Sequence, residues 1–211
     1  MDSYGEIWWN HVPTAMQLVN DVKEALQNWK STAVSSGSEE WSCSFFDAVS
    51  AQIREENFSV AFYTLDLDSL AESSTITDGI ADQLGIGYMI TRNIANLLPE
   101  LPDGGSIWIL QHMNAKRQQE LEKLLKHVSS CHAPISFLFV QEGQGKPKGC
   151  FKAELLPNKL DLQYYAWTLL LGKLPNHLLE YASQLAVELS SQKPARCAEI
   201  CSNIEDILRN P

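Results

Sequence analysis

Two short and almost wholly apolar runs constrain the fold of this chain more than any other feature. They are Ser106–His112 (Ser-Ile-Trp-Ile-Leu-Gln-His) and Pro134–Val140 (Pro-Ile-Ser-Phe-Leu-Phe-Val). Apolar runs without alternation are typical of strands that are covered on both faces of a parallel sheet. Between them, Ala115–Val128 has its leucines on one helical face, and Asn114 stands where the helix N-cap belongs. This strand, helix, strand order predicts a parallel sheet.

The rest of the first 157 residues extends this pattern. Phe58–Leu67 is rich in β-branched and aromatic residues and predicts a central strand. A weaker strand followed by a Gly-containing loop is predicted within Ser31–Glu40, and a last strand within Cys150–Leu156. We therefore predict an α/β fold, with a mostly parallel sheet and helices on both faces.

The helical patterns divide the chain into two predicted domains. Residues 1–157 form the α/β core with an N-terminal amphipathic helix, and residues 158–211 form a helical tail. The helices are predicted from apolar residues at spacings of three and four. They cover Ile7–Trp29, Phe45–Ile53, Thr77–Leu84, Met89–Leu98, Asp161–Leu171, Pro175–Ser190 and Ala195–Leu208.

The charge of the chain excludes several classes of partner. Sixteen basic residues stand against 26 acidic ones, which gives a formal net charge of −10, and no dense Lys/Arg run is present. Nucleic acids and anionic membranes are bound through clustered cations, so neither is an expected partner. An acidic surface is suited to a basic protein. The chain has no apolar run of transmembrane length, no secretory signal pattern and an odd number of cysteines, and a cytoplasmic location is therefore expected.

The order of elements from about Val34 onward resembles the nucleotide-binding core of P-loop ATPases of the AAA/STAND type. Two stretches add to this resemblance: Ala153–Asp161 resembles the link into the helical lid, and Ser73–Gly85 resembles the segment that follows the second strand. The resemblance implies a P-loop-like sheet followed by a helical lid-like part. In that family, a Gly-Lys-Ser/Thr loop binds phosphate, and acidic residues after a central strand bind Mg²⁺ and activate water.

The chain departs from the family at both of these elements. The loop Gly37–Cys43 has no lysine and carries Glu39 and Glu40. Gln111 and His112 stand where the Mg²⁺-handling Asp and the catalytic Glu belong. The chain is therefore identified as an inactive STAND-type domain with degenerate Walker motifs and no cofactor. The implied function is that of a non-catalytic adaptor or regulatory subunit, in a bacterial anti-phage or related multi-protein system. Its expected partner is an active ATPase or a basic-surfaced effector.

An alternative hypothesis is a small α/β enzyme or nucleotide-binding protein. Asp66 and Asp68 follow one predicted strand and His112 follows another, at the edge where open α/β sheets bind ligands. Carboxylates and a histidine at this edge are suited to acid–base chemistry. Carboxylates at strand ends are also commonly solvated or helix-capping, and this structural interpretation stays open.

Three further groups of residues have both a functional and a structural interpretation. Trp8, Trp9 and Trp41 are the predicted interface residues, because aromatic side chains are enriched in binding hot spots. Cys197 and Cys201 are four residues apart on a predicted helix, a spacing that fits two metal thiolates but also simple packing. The loop 143–149 contains Gly-x-Gly-Lys, but Pro147 and a following strand favour a hairpin over a phosphate site.

Overall fold

A computed structural model describes residues 3–36, 39–56, 59–86, 97–141, 149–155 and 157–209. These ranges contain eight α-helices, five β-strands and one short 3₁₀ turn at Leu98–Glu100. The strands are β1 (Thr32–Ser35), β2 (Ala61–Asp66), β3 (Ser106–Gln111), β4 (Ile135–Val140) and β5 (Phe151–Glu154). The helices are α1 (Ser3–His11), α2 (Pro13–Gln27), α3 (Glu39–Glu56), α4 (Ile76–Gln83), α5 (Ala115–Cys131), α6 (Lys159–Leu170), α7 (Asn176–Leu189) and α8 (Pro194–Arg209).

The five strands form one sheet in the order β2-β3-β4-β1-β5, and every neighbouring pair is parallel. The α/β class and the parallel sheet predicted from the sequence are therefore confirmed. β1 lies between two strands that come much later in the chain: Ala33 is in register with Phe139 of β4 on one side and with Lys152 of β5 on the other.

The apolar runs of β3 and β4 form the centre of the sheet core. All residues of these two strands are buried except the last one of each. Trp108 is fully buried, and its ring stacks on Tyr63 of the neighbouring strand at 4.4 Å between ring centroids. Burying a large apolar side chain contributes about 1.5–3 kcal/mol, so these runs account for much of the stability of the sheet.

The turn before β3 requires glycine at Gly105. Its φ is +79°, in the region that non-glycine residues rarely adopt. A Cβ atom at this position would lie 2.1 Å from the Trp29 ring and 2.6 Å from the carbonyl oxygen of Pro134. Any larger residue would therefore displace either the ring or the backbone that leads into β4.

The chain divides into two compact units. The sheet unit is Asn20–Leu155, and the helical unit joins Met1–Val19 to Leu156–Pro211. The N-terminal segment is grouped with the C-terminal helices, and α1 contacts both α6 and α8.

Three local predictions are corrected by the structure. The single helix predicted over Ile7–Trp29 is two helices, and Pro13 begins the second of them, since proline is favoured in a first helical turn. The strand predicted as central, β2, is at one edge of the sheet. The loop 143–149 does not close a hairpin, because β4 and β5 are both parallel to β1 and lie on opposite sides of it. Most of the helix predicted over Met89–Leu98 lies outside the described residues.

Candidate functional site

The ends of β2 and β3 bring Asp66 and His112 into contact. Asp66 is in register with Gln111, so His112 comes one residue beyond the paired end of β3. His112 has a φ of 54°, a left-handed conformation that histidine adopts more readily than most residues. Its Nδ1 lies 2.7 Å from Asp66 Oδ1, and both side chains are more than a third exposed. Two of the three residues proposed for the alternative active site are thus hydrogen-bonded partners.

Asp68 binds the Asp66 carboxylate through its backbone and not through its side chain. Its N–H donates to Asp66 Oδ1 at 3.0 Å, and the Ser69 hydroxyl donates to the Asp66 carbonyl oxygen at 2.6 Å. These bonds close a turn directly after β2. The hydrogen bond with His112, followed by the one from the Asp68 N–H, lowers the pKa of Asp66 below its ordinary value. Asp66 is therefore ionised at neutral pH and held in place from two sides.

The Asp66–His112 pair has the elements of acid–base chemistry, because a carboxylate orients the ring of a histidine and stabilises its protonated form. A metal site at the same edge has less support. Among the described residues, no group of three or more His, Cys, Asp or Glu side chains is arranged to hold a metal ion. Asp66, Asp68 and His112 are therefore not grouped as three metal ligands.

The loop before α4 is held by a buried arginine that the sequence analysis missed. Arg117 is only 5% exposed, and its guanidinium donates to the Ser74 carbonyl oxygen at 2.6 Å and to Glu120 Oε2 at 3.0 Å. The other carboxylate oxygen of Glu120 accepts a hydrogen bond from the Ile76 N–H at the start of α4. In the sequence, Arg117 could have been recognised as a charged residue on the face of α5 that is otherwise apolar. This network positions the loop, and nothing in its geometry requires a ligand.

Of the three tryptophans predicted as interface residues, two are buried. Trp8 and Trp9 are 3% and 1% exposed, and the Trp8 ring contacts Tyr165 of α6 edge-on at 5.1 Å between ring centroids. Trp41, in the first half of α3, is half-buried. Trp8 therefore stabilises the packing of α1 on α6.

The exposed aromatic surface lies on α6 instead. Leu160, Tyr164, Trp167 and Leu171 are 76%, 45%, 39% and 50% exposed, and we call these four residues the α6 stripe. Leu160, Tyr164 and Trp167 are spaced four and three residues apart, which places them along one side of α6, and Leu171 follows at the C-cap, where the backbone is extended. Leu162, Tyr165, Ala166, Leu169 and Leu170 are the buried residues of the same helix. In the sequence, this exposed surface could have been recognised from apolar residues on two different faces of the same helix.

The remaining predicted sites have less functional support. Cys197 and Cys201 are both buried in α8, and a hydrogen bond between them lowers the pKa of Cys197 and raises that of Cys201. No third side chain among the described residues joins them in a metal-binding group. Of the loop predicted at 37–43, residues 37–38 lie outside the described residues and 39–43 form the start of α3, so this part is helical and not a loop. Of the loop 143–149, residues 143–148 lie outside the described residues.

The fold of this chain is shared with two solved structures. One is the HORMA:CdnC:Trip13 complex of E. coli MS115-1. The match to one of its chains covers 96% of the present chain and 83% of the matched chain, with 11% identity and a TM-score of 0.50. The other is Trip13 of Rhizobiales, with 95% and 85% coverage, 10% identity and a TM-score of 0.52. At this identity the likeness concerns the fold alone. The sequence matches no protein-family model and no curated protein.

These matches correct the identification of the chain as an inactive STAND/AAA-type P-loop domain with degenerate Walker motifs. Neither solved structure is named as a STAND-type protein: both contain Trip13, and one contains HORMA and CdnC as well. The identification depended on the order of strands and helices, which many α/β proteins share. What the two matches show is a shared fold.

No helix in the described part of the chain is long and apolar enough to cross a membrane.

Proposed function

We propose that this chain is a non-catalytic adaptor or regulatory protein that acts through contact with another protein. The observation that carries the proposal is the uneven distribution of exposed apolar side chains. All eight large hydrophobic residues exposed in the described chain belong to the helical unit, and four of them form the α6 stripe. Apolar side chains that are grouped on the surface of a soluble protein often mark a protein-interaction site.

The setting of this function is proposed from the fold. Both structures that share it come from bacteria, and one is an assembly of three named proteins. A cytoplasmic, bacterial multi-protein system of this kind, anti-phage or related, is therefore our proposed context. The proposed partner is either an active ATPase or a basic-surfaced effector, and the net charge of −10 favours a partner with basic surface.

Co-expression with the proteins encoded beside this chain tests the proposal. A tagged wild-type chain is purified and analysed by size-exclusion chromatography at micromolar concentration. Elution with one partner in a fixed stoichiometry is the expected result. Elution of the chain without any such partner would contradict the adaptor function.

One observation favours a second function, that of a small α/β enzyme: the 2.7 Å contact between Asp66 and His112 at the carboxyl edge of the sheet. Thermal melting with and without millimolar Mg²⁺-ATP, Mg²⁺-ADP and Mg²⁺-GTP separates the two functions. A ligand at 100 times its Kd stabilises a protein by about 2.7 kcal/mol. A saturable rise in melting temperature that is lost in Asp66→Asn would favour the second function, and the adaptor function predicts no shift.

A further inference from the structure

The helix α6 is apolar on two faces, and only one of them is covered. Its buried face packs within the helical unit, where Trp8 contacts Tyr165 and where α7 and α8 adjoin the helix. A helix that is apolar all round is normally buried all round. The α6 stripe is the exception, since each of its four large side chains is more than a third exposed.

The chemistry of the stripe fits one kind of partner surface. Leu160, Tyr164 and Trp167 lie along about two turns of α6, and Leu171 is at its C-cap. Tyrosine and tryptophan are among the residues that most often dominate binding energy when they are desolvated. Anchors at spacings of four and three match the apolar face of an amphipathic helix, which places its own side chains with the same period.

The charge argues against a second copy of this chain as the partner, and the exposed area shows that any protein partner must also contact residues beyond the stripe. A large side chain can bury roughly 200 Å², so the exposed fractions of the stripe leave roughly 400 Å² to be covered. A standard protein–protein interface buries about 800 Å² on each partner. Two copies would also bring together two chains with a net charge of −10 each, which repel one another.

The helical unit has a small excess of carboxylates. Helix α6 contains Lys159 and Asp161, and α7 contains His177, Glu180 and Glu188. Lys173, between these two helices, forms an ion pair with Glu205 at 2.7 Å. Over the whole unit 5 basic residues stand against 8 acidic ones. Basic residues beside the apolar face of an incoming helix would complement this excess and the net charge of the whole chain.

We propose that the α6 stripe binds an amphipathic helix of a partner protein, with a bulky apolar face and basic flanks. This inference rests on the proposed adaptor function and names the surface that performs it. The partner helix packs lengthwise along α6, desolvates Tyr164 and Trp167, and buries the side chains of the stripe that are exposed in the chain by itself.

Site-specific photo-cross-linking identifies the bound segment. The full-length chain carries a benzoylphenylalanine in place of Tyr164, and a matched control carries it in place of Ile207, which is 69% exposed on α8. Mass spectrometry of the cross-link at position 164 is expected to find an amphipathic helix with basic flanks, while the control gives no such product. A cross-link to this same chain, to a segment of different chemistry, or to nothing would overturn the proposal.

A synthetic peptide with the cross-linked sequence then measures the affinity by fluorescence anisotropy. Leu160→Ser/Tyr164→Ser and the separate variant Trp167→Ala are expected to weaken binding at least tenfold, whereas Ile207→Ser changes it less than twofold. Affinity should also fall as salt rises from 50 to 500 mM. Two stripe variants that fold and bind normally would overturn the proposal. If these variants still co-elute with the protein partner, the adaptor function stands and the partner uses another surface; if the wild type has no partner, the adaptor function itself fails.

Discussion

The two units of this protein differ in how many large hydrophobic side chains they expose to solvent. The sheet unit, Asn20–Leu155, exposes none of the large hydrophobic side chains among its described residues and carries 11 basic against 18 acidic residues. The helical unit is closer to neutral, with 5 basic against 8 acidic residues. It contains all eight of the large hydrophobic side chains that are exposed in the described part of the chain. A parallel sheet buries its central strands on both faces, whereas a packed helix covers only one stripe of its surface. Among the described helices and strands, α6 has the largest number of these exposed side chains, followed by α7.

The largest expected effect tests this difference with two tryptophans. Trp108→Ala removes a fully buried ring from the sheet core and should lower the free energy of unfolding by about 3–5 kcal/mol. Trp167→Ala, on the α6 stripe, should change it by about 1 kcal/mol or less. Urea denaturation followed by circular dichroism measures both. Equal losses in the two variants would mean that the stripe is part of a closed core.

The second expected effect concerns the buried Arg117 in the sheet unit. Arg117→Met removes the donors to Ser74 and Glu120 and leaves a partly buried carboxylate without its cation, which should cost about 2–3 kcal/mol. Lys116→Met is the matched control, because its ammonium also donates to a carbonyl oxygen of this loop, that of Glu72 at 3.1 Å, but from an exposed position where the bond contributes little. Hydrogen exchange should show faster exchange of amides 71–76 in the Arg117 variant alone. Unchanged exchange there would contradict the role of Arg117 in holding this loop.

A third and smaller effect compares helix caps in the two units. Asn114 caps α5 of the sheet unit and Asn158 caps α6 of the helical unit, each accepting from a backbone N–H three residues later at 3.0 and 2.9 Å. Alanine at either position should cost about 1 kcal/mol. Thermal or urea unfolding of both variants gives the comparison. A much smaller loss for Asn158→Ala would show that the start of α6 is less firmly formed than the start of α5.

The smallest expected effect is the pH dependence of Asp66. Because its pKa is lowered in the folded state, the pair with His112 contributes stability above the ordinary pKa of an aspartate. That contribution is lost as the pH falls through the lowered value. The side chains are exposed, so the effect on stability is small. In a ¹³C NMR titration, His112→Ala should raise the pKa of Asp66 toward its ordinary value, and an unchanged pKa would mean that the backbone of Asp68 dominates.

The sequence predicted local structure better than connectivity. The runs at Ser106–His112 and Pro134–Val140 are apolar enough to predict buried strands, and both are observed as β3 and β4. Nothing local specifies that β1 lies between β4 and β5, or that β2 is at an edge, because strand order depends on contacts between distant segments. The predicted hairpin failed for this reason: turn residues describe the loop itself and not the strand that each end pairs with.

The candidate surface was missed because exposure is a tertiary property. Trp8 and Trp9 occupy a short helix near one end of the chain, a position that looks exposed until the C-terminal helices pack on it. Trp167 belongs to a helix whose apolar residues point in two directions, and the sequence does not say which direction is covered. By contrast, Asp66 and His112 were predicted at one sheet edge, because parallel strands place their carboxyl ends together.

The discontinuity of the helical unit has a consequence for the timing of synthesis. Met1–Val19 emerges first, but its partners begin only at Leu156, after 136 intervening residues of the sheet unit. At about 5–20 residues per second, roughly 10–40 seconds pass between the synthesis of Trp8 and Trp9 and the completion of α6 and α8. In a nascent chain stalled after Leu155, both rings should therefore be in water or bound to a chaperone, and their fluorescence should shift to the blue only when Leu156–Pro211 has been added.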